Sequence, residues 1–131
     1  LLEQEPLDSL LVECMKRGTR IVVGGPYNSG ILATGPVKGA MFNTKLAPPY
    51  ILDRVGKIEA VCRRHKIPMA AAALQFPLAH PVVASVIPGA QSVAELQQNL
   101  AFMQQPIPSA LWADLKAEGL VAPGAPVPTG A

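Results

Sequence analysis

Two stretches of the chain carry residue types and spacings that can hold an anion or a nucleotide. The first, VIPGAQSVAELQQN, spans residues 86–99 and passes from apolar residues through Pro88-Gly89 to Ser92, with Glu95 three positions on. Serine and glutamate at that spacing form a capping box: the hydroxyl accepts from a backbone N–H of the first turn, and the carboxylate reaches back to the cap's own N–H. A strand, a tight turn and a helix N-terminus in succession also leave free N–H groups and the positive end of the helix dipole facing outward, a favourable place for a phosphate. The second stretch, VVGGPYNSGIL, spans residues 22–32. Gly24, Gly25 and Gly30 let a backbone approach a ligand closely, and Asn28 and Ser29 supply polar side chains. Either turn alone could be local structure and nothing more; two after consecutive strands carry more weight. Neither matches G-x-G-x-x-G or G-x-x-x-x-G-K-[ST], so neither a Rossmann site nor a P-loop is supported.

The elements that position these turns are legible from periodicity. EPLDSLLVECMKRG reads as one helix, with Pro6 in its first turn, Leu7, Leu10, Leu11 and Cys14 on one face, and Gly18 as its stop. TRIVVGG reads as a short strand buried on both faces. Residues 33–48, rich in Gly, Pro and Asn, form a connection too long for a plain linker, and loops of that length are usually functional. PPYILDRVGKIEAVCRRHKI is a helix with Ile51, Val55, Ile58 and Cys62 at helical spacing. PMAAAALQFPLAH begins with Pro68 and continues as an alanine-rich helix. VVASVIPG is the next buried strand, SVAELQQNLAF the next helix, and PSALWADLKAEGL the last, with Ser109 as its expected N-cap. The tail, residues 122–131, is rich in Pro, Gly and Ala and is expected to be disordered, leaving 1–121 as the folded unit. Short parallel strands alternating with helices make an α/β fold. Little more than two strands are present, too few to close a barrel, and the opening LLEQEPLDSLL reads as mid-phrase, so a piece of a longer protein is expected.

Composition excludes several classes. The 131 residues carry a net charge of +2 and are 50% hydrophobic, which favours a packed core over disorder. The cations are scattered, the densest group (Arg63, Arg64, Lys66) being ordinary helix surface, so nucleic acid is not an expected partner. No apolar run reaches the roughly 18 residues needed to span a bilayer, and no membrane association is expected. Cys14 and Cys62 form no metal or disulfide pattern and read as reduced thiols of a cytoplasmic protein.

IPGAQSVAELQQN resembles the cofactor signature of the aldo-keto reductase superfamily, roughly I-P-G/K-x-x-[ST], six residues, then N. GGPYNSGIL stands where that family usually has S-P-L-x-x-G-x-L, and FPLAHPVVASVIPGA is similar to the family's approach to its last strand. The wording most resembles the branch of L-fucose and D-threo-aldose 1-dehydrogenases and their pyridoxal dehydrogenase relatives. The resemblance implies the C-terminal part of a (β/α)8 TIM barrel, from the end of the sixth strand at Leu1 and Leu2, through the seventh at 20–23 and the eighth at 82–86, to the C-terminal helix. It implies that Gly25, Pro26, Tyr27, Asn28, Ser29 and Gly30 wrap the cofactor pyrophosphate. It places Ile87 and Gly89 along the adenosine side, Gln91 and Glu95 near the ribose, and Gln98 and Asn99 at the adenine.

The family pattern also exposes departures. Relatives that prefer NADP commonly place Lys at the position of Gly89 and Arg at that of Glu95, where both would pair with a 2′-phosphate. A carboxylate instead suits a ribose diol and repels a phosphate, which implies NAD, with NADP possible through Gln91. Gly24 lacks the aromatic ring that many relatives stack on nicotinamide. The family's Tyr, Lys, Asp and His, which carry out hydride transfer chemistry, lie on earlier strands, and no catalytic residue is assigned in this chain; Tyr27, Tyr50, His65 and His80 each read as structural. The implied parent enzyme oxidises the anomeric carbon of an aldose such as L-fucose to a lactone, acting on a small sugar or aldehyde. The chain by itself is expected to be inactive, with a missing N-terminal barrel half as partner or a tendency to self-associate. The alternative is a stand-alone nucleotide-binding or self-associating module.

Overall fold

A computed structural model describes residues 1–129 of the chain. Two strands, β1 (Ile21–Gly24) and β4 (Val83–Ile87), pair in parallel, with Val22 opposite Ser85, Val23 opposite Val86 and Gly24 opposite Ile87. Parallel pairing requires a crossover between the strands, and the intervening chain supplies it. It runs through the single-turn helix α2 (Ile31–Thr34), a hairpin of β2 (Met41–Phe42) and β3 (Lys45–Leu46), and helices α3 (Pro49–Arg64) and α4 (Met69–Gln75). Helix α1 (Leu10–Arg17) precedes β1, and α5 (Val93–Gln104) and α6 (Ser109–Ala117) follow β4. No helix among the described residues is long and apolar enough to cross a membrane.

The main core lies among helices. On α3, Ile51, Val55, Ile58 and Cys62 are buried at the spacing that the sequence displays. The alanines of α4 are buried on every side, and their small size lets α2, α3 and α5 approach the helix closely. From α6, Leu111, Trp112 and Leu115 close the cluster, and the indole of Trp112 stacks on Phe76 with centroids 5.9 Å apart. Burial pushes the Cys62 thiol up to about 11, with the nearby Glu59 carboxylate adding to the effect, so it behaves as a small apolar group. A second, smaller cluster of Cys14, Val82 and Val83 lies against Leu11, Ile21, Val23 and Leu78, joining α1 to one face of the sheet.

Several expectations are corrected. The first helix is broken: Glu5–Asp8 is a 3-10 turn, and α1 starts only at Leu10. Ser9 interrupts it by leaving helical geometry and donating its hydroxyl to Glu5 O at 3.1 Å, the competition that serine offers a helix backbone. Gly18 does stop α1, adopting φ +65° and donating to the carbonyls of the last turn. The strands are not buried on both faces: Val22 is 56% exposed and Ile87 59%, because the sheet has two strands and helices cover only one side. The expected long loop contains the β2–β3 hairpin, turned at Asn43 and Thr44, both with positive φ, as a two-residue hairpin turn requires. Ser109 is the first residue of α6 rather than its cap; Pro108 takes that place.

The described part of the tail is docked rather than loose; residues 130–131 lie outside the described residues. Ala125 is buried, and Lys116 Nζ donates to Pro123 O and Ala125 O at 3.0 and 2.8 Å. Gln4 Oε1 accepts from Ala122 N at 2.8 Å, and Gln4 Nε2 donates to Leu120 O at 2.9 Å. A tail without a secondary-structure period gave no sign of these contacts because they depend on residues distant in sequence. Trp112 fills the centre of the helical core, so Trp112→Ala is expected to cost about 3–5 kcal/mol in equilibrium urea unfolding.

Candidate functional site

The parallel register places the ends of β1 and β4 side by side, and the two polar turns leave the sheet from neighbouring positions. After β1 the backbone takes an uncommon path. Gly25 has φ +60°, and Asn28, Ser29 and Gly30 follow with φ of +48°, +59° and +94°. Consecutive left-handed residues cost of order 1–3 kcal/mol each where they are not glycine, so surrounding contacts must hold them. They do. Asn28 Nδ2 donates to Glu3 Oε2 at 2.8 Å, and Ser29 Oγ accepts from Thr44 N at 3.0 Å. Asn43 Nδ2 donates to the other oxygen of Glu3 at 3.1 Å. Glu3 thus joins the turn to the tip of the β2–β3 hairpin. Neither Glu3, Asn43 nor Thr44 stood out in the sequence; the only signal was Glu3's place directly after the apolar pair Leu1-Leu2.

After β4 the capping reading holds with one change. Ser92 is the N-cap of α5, and its hydroxyl accepts from Glu95 N at 3.2 Å. The Glu95 carboxylate reaches back past the cap to Gln91 N, accepting at 2.7 Å on Oε2. Ser92 itself has the extended backbone usual for an N-cap (φ −148°, ψ 162°). Oε1 has no partner among the described residues, so the carboxylate can cap the helix and still accept from a ligand hydroxyl.

The two turns meet at Asn99. Its side chain is 7% exposed and is the one buried polar side chain among the described residues. Tyr27 Oη donates to Asn99 Oδ1 at 2.6 Å, and Asn99 Nδ2 donates to Gly89 O at 3.3 Å. Asn99 therefore faces inward and ties both turns together, while Gln98, its neighbour on α5, is exposed, as are Gln91, Glu95, Gly25 and Ser29. Ile87 and Gly89 lie exposed at the end of β4, and Pro26 is buried beneath the first turn. The twelve residues singled out in sequence thus fall on two adjacent turns, the last residue of β4 and the first two turns of α5.

A cavity of about 550 Å3 lies beside β1, lined on its polar side by Glu3, Asn28, Ser29 and His80 and on its apolar side by Leu7 and Val83. Proton-transfer chemistry is poorly provided for. Tyr27 is pushed up to about 12 by loss of solvent, the opposite of what an acid–base tyrosine needs. Tyr50 is 69% exposed at the start of α3. His65 is bonded through Nε2 to Asp114 Oδ2 at 2.8 Å, joining α3 to α6, and His80 Nδ1 accepts from Val82 N at 3.4 Å. Among the described residues no group of three or more His, Cys, Asp and Glu is placed to hold a metal ion.

The family model described as the aldo/keto reductase family matches residues 3–118. The chain is 37% identical over 121 residues to a pyridoxal 4-dehydrogenase from Microbacterium luteolum and 38% identical over 122 residues to a D-threo-aldose 1-dehydrogenase from a Pseudomonas species. Each match covers 92% of this chain, and the chain spans 35% and 37% of those relatives' lengths. The solved holo form of an aldo-keto reductase from Bacillus halodurans superposes with a TM-score of 0.65 at 24% identity, covering 92% of this chain and 39% of that one, a likeness of fold.

Two measurements check this geometry. Ser92→Ala removes the cap and is expected to lower stability by about 1 kcal/mol in denaturant titration. Tyr27 stays protonated in the folded chain to about pH 12, while in the unfolded chain it ionises near its ordinary value of 10. The folded state therefore holds more protons between those values, and stability falls as pH rises from 10 through 12; below pH 10 the contribution is fully present. Unfolding midpoints measured across that range should show the fall, and Tyr27→Phe should lessen it.

Proposed function

The chain belongs to the aldo/keto reductase family and has the fold of part of its α/β barrel, and from that premise we propose that it is the cofactor-binding portion of an NAD-dependent aldose 1-dehydrogenase. The observation that supports this reading is the junction at Asn99, which brings the Gly25–Gly30 turn and the first two turns of α5 to adjacent positions at the ends of two parallel strands. Ligands of α/β folds bind at that end of the strands.

In this reading the turn from Gly25 through Pro26, Tyr27, Asn28 and Ser29 to Gly30 wraps the pyrophosphate, Ile87 and Gly89 flank the adenosine, and the exposed Gln98 faces the adenine, whereas Asn99, expected at the adenine from its sequence position, is turned inward and joins the two turns instead. When bound, the nicotinamide cofactor supplies the hydride acceptor. This chain's own residues bind and orient it: the backbone N–H groups of Tyr27 and Ser29, which have no partner among the described residues, offer donors to phosphate oxygens, and Glu95 Oε1 offers an acceptor to a ribose hydroxyl. The same carboxylate repels a 2′-phosphate, and no cation stands at position 89 to offset it, so NAD is favoured over NADP. The parent reaction is oxidation of an anomeric carbon in a small sugar, L-fucose being the model substrate, to a lactone; relatives named for aldose and pyridoxal oxidation agree with small polar substrates. The acid–base residues for that step are not among those assigned here.

A second reading, a self-associating module without activity, is favoured by the exposed apolar residues Val22 and Ile87 on the open sheet face and Val93, Leu96 and Leu100 along α5. One titration separates the readings. NAD is expected to raise the unfolding midpoint of the 131-residue chain, NADP to raise it less, and the chain to show no turnover of L-fucose with NAD. Gly89 has room for a side chain, so Gly89→Lys combined with Glu95→Arg should reverse the preference. No shift with either cofactor, together with an oligomer in sizing chromatography, would favour the second reading; tighter NADP binding by the unaltered chain would overturn the assignment of NAD.

A further inference from the structure

We propose that Tyr27 is a positioning residue that latches the pyrophosphate turn to the adenine-facing helix, fixing the separation between the two surfaces a dinucleotide must span. The inference rests on the reading of the two turns as a dinucleotide site. Tyr27 and Asn99 are 72 positions apart in sequence and are joined by one 2.6 Å hydrogen bond. The bond is held firmly at both ends. The Tyr27 ring packs against the main hydrophobic core, so the hydroxyl is carried on an anchored arm. Asn99 is buried and holds Gly89 O with its amide nitrogen, so the hydroxyl fixes the orientation of the amide as well as its position. Leaving a buried amide oxygen unpaired costs free energy, which makes the closed latch the favoured state.

The ionisation behaviour of Tyr27 agrees with a donor role, since burial lets its hydroxyl keep the proton it donates to about pH 12. Without the latch each turn would still be formed, the first by Glu3 and Thr44 and the second by Ser92 and Glu95. What would be lost is the side-chain bond that adds to the strand register in holding the two turns together. A ligand touching only one turn would be indifferent to that, while a ligand spanning both would have to order them on binding.

The test is calorimetric binding of AMP, ADP-ribose and NAD to the 131-residue chain and to Tyr27→Phe, with Tyr27→Leu as a second variant that removes the ring as well as the hydroxyl. Loss of one hydrogen bond's worth of preorganisation should weaken ADP-ribose and NAD by roughly three- to tenfold and change AMP by less than about twofold. A purely structural role would weaken all three by the same factor; that result, or unchanged ADP-ribose affinity, would overturn the latch. Hydrogen exchange without ligand gives a separate reading: the Phe variant should exchange faster at both 25–30 and 87–92, and an effect confined to 25–30 would overturn the coupling. If the unaltered chain binds none of the three ligands, the dinucleotide site itself is refuted, and with it the purpose assigned to Tyr27, whatever the exchange data show.

Discussion

The parallel register of β1 and β4 is the constraint on which the rest of the structure depends. Because Gly24 stands opposite Ile87, both strands end at the same level, and both polar turns emerge on one side of the sheet. A parallel pair cannot be closed by a short turn, so the chain must cross over, and α2, α3 and α4 make that crossing. The crossing helices then form the main core, with α6 packed onto α3. The site is consequently assembled from segments some sixty residues apart, and its geometry follows from backbone pairing rather than from any local motif.

A buried amide completes what the register begins. Asn99 lies on a helix whose other faces are largely exposed, and α5 is otherwise held by α4 and by Gln75, whose amide donates to Phe102 O and Gln105 O at 2.7 and 2.9 Å. The polar side chain is accepted in the interior because both of its ends are partnered. The same economy governs the first turn, where residues in left-handed conformation are kept in place by Glu3 and the hairpin tip. In each case a locally unfavourable feature is held by contacts from elsewhere in the chain.

The helices were legible because their cores repeat: Ile51, Val55, Ile58 and Cys62 announce α3, and Ser92 with Glu95 announces the start of α5. Strands β1 and β4 were legible as β-branched runs, and the bounds implied by the family resemblance, 20–23 and 82–86, fall within one residue of the observed ones. Less legible were features set by competition or distance. Ser9 breaks a helix that periodicity would continue, because its hydroxyl has a backbone carbonyl within reach. The β2–β3 hairpin is only two residues deep on each side, too short to show alternation. The tail docks through Gln4 and Lys116, which no window of sequence around residues 122–129 contains.

The sequence by itself determined the class of fold, the two turns, the capped helix and the family to which their wording points, because each is written in neighbouring residues. It also determined the charge at position 95, and hence the preference between cofactors that we propose. Tertiary structure alone decided that Asn99 faces inward to Tyr27 and Gly89, that Glu3 secures the turn, and that Glu95 caps through Gln91 and leaves one oxygen free. The reason is physical: hydrogen bonds between distant segments depend on where the sheet register and the helical core bring them, and that placement is a property of the whole packed chain.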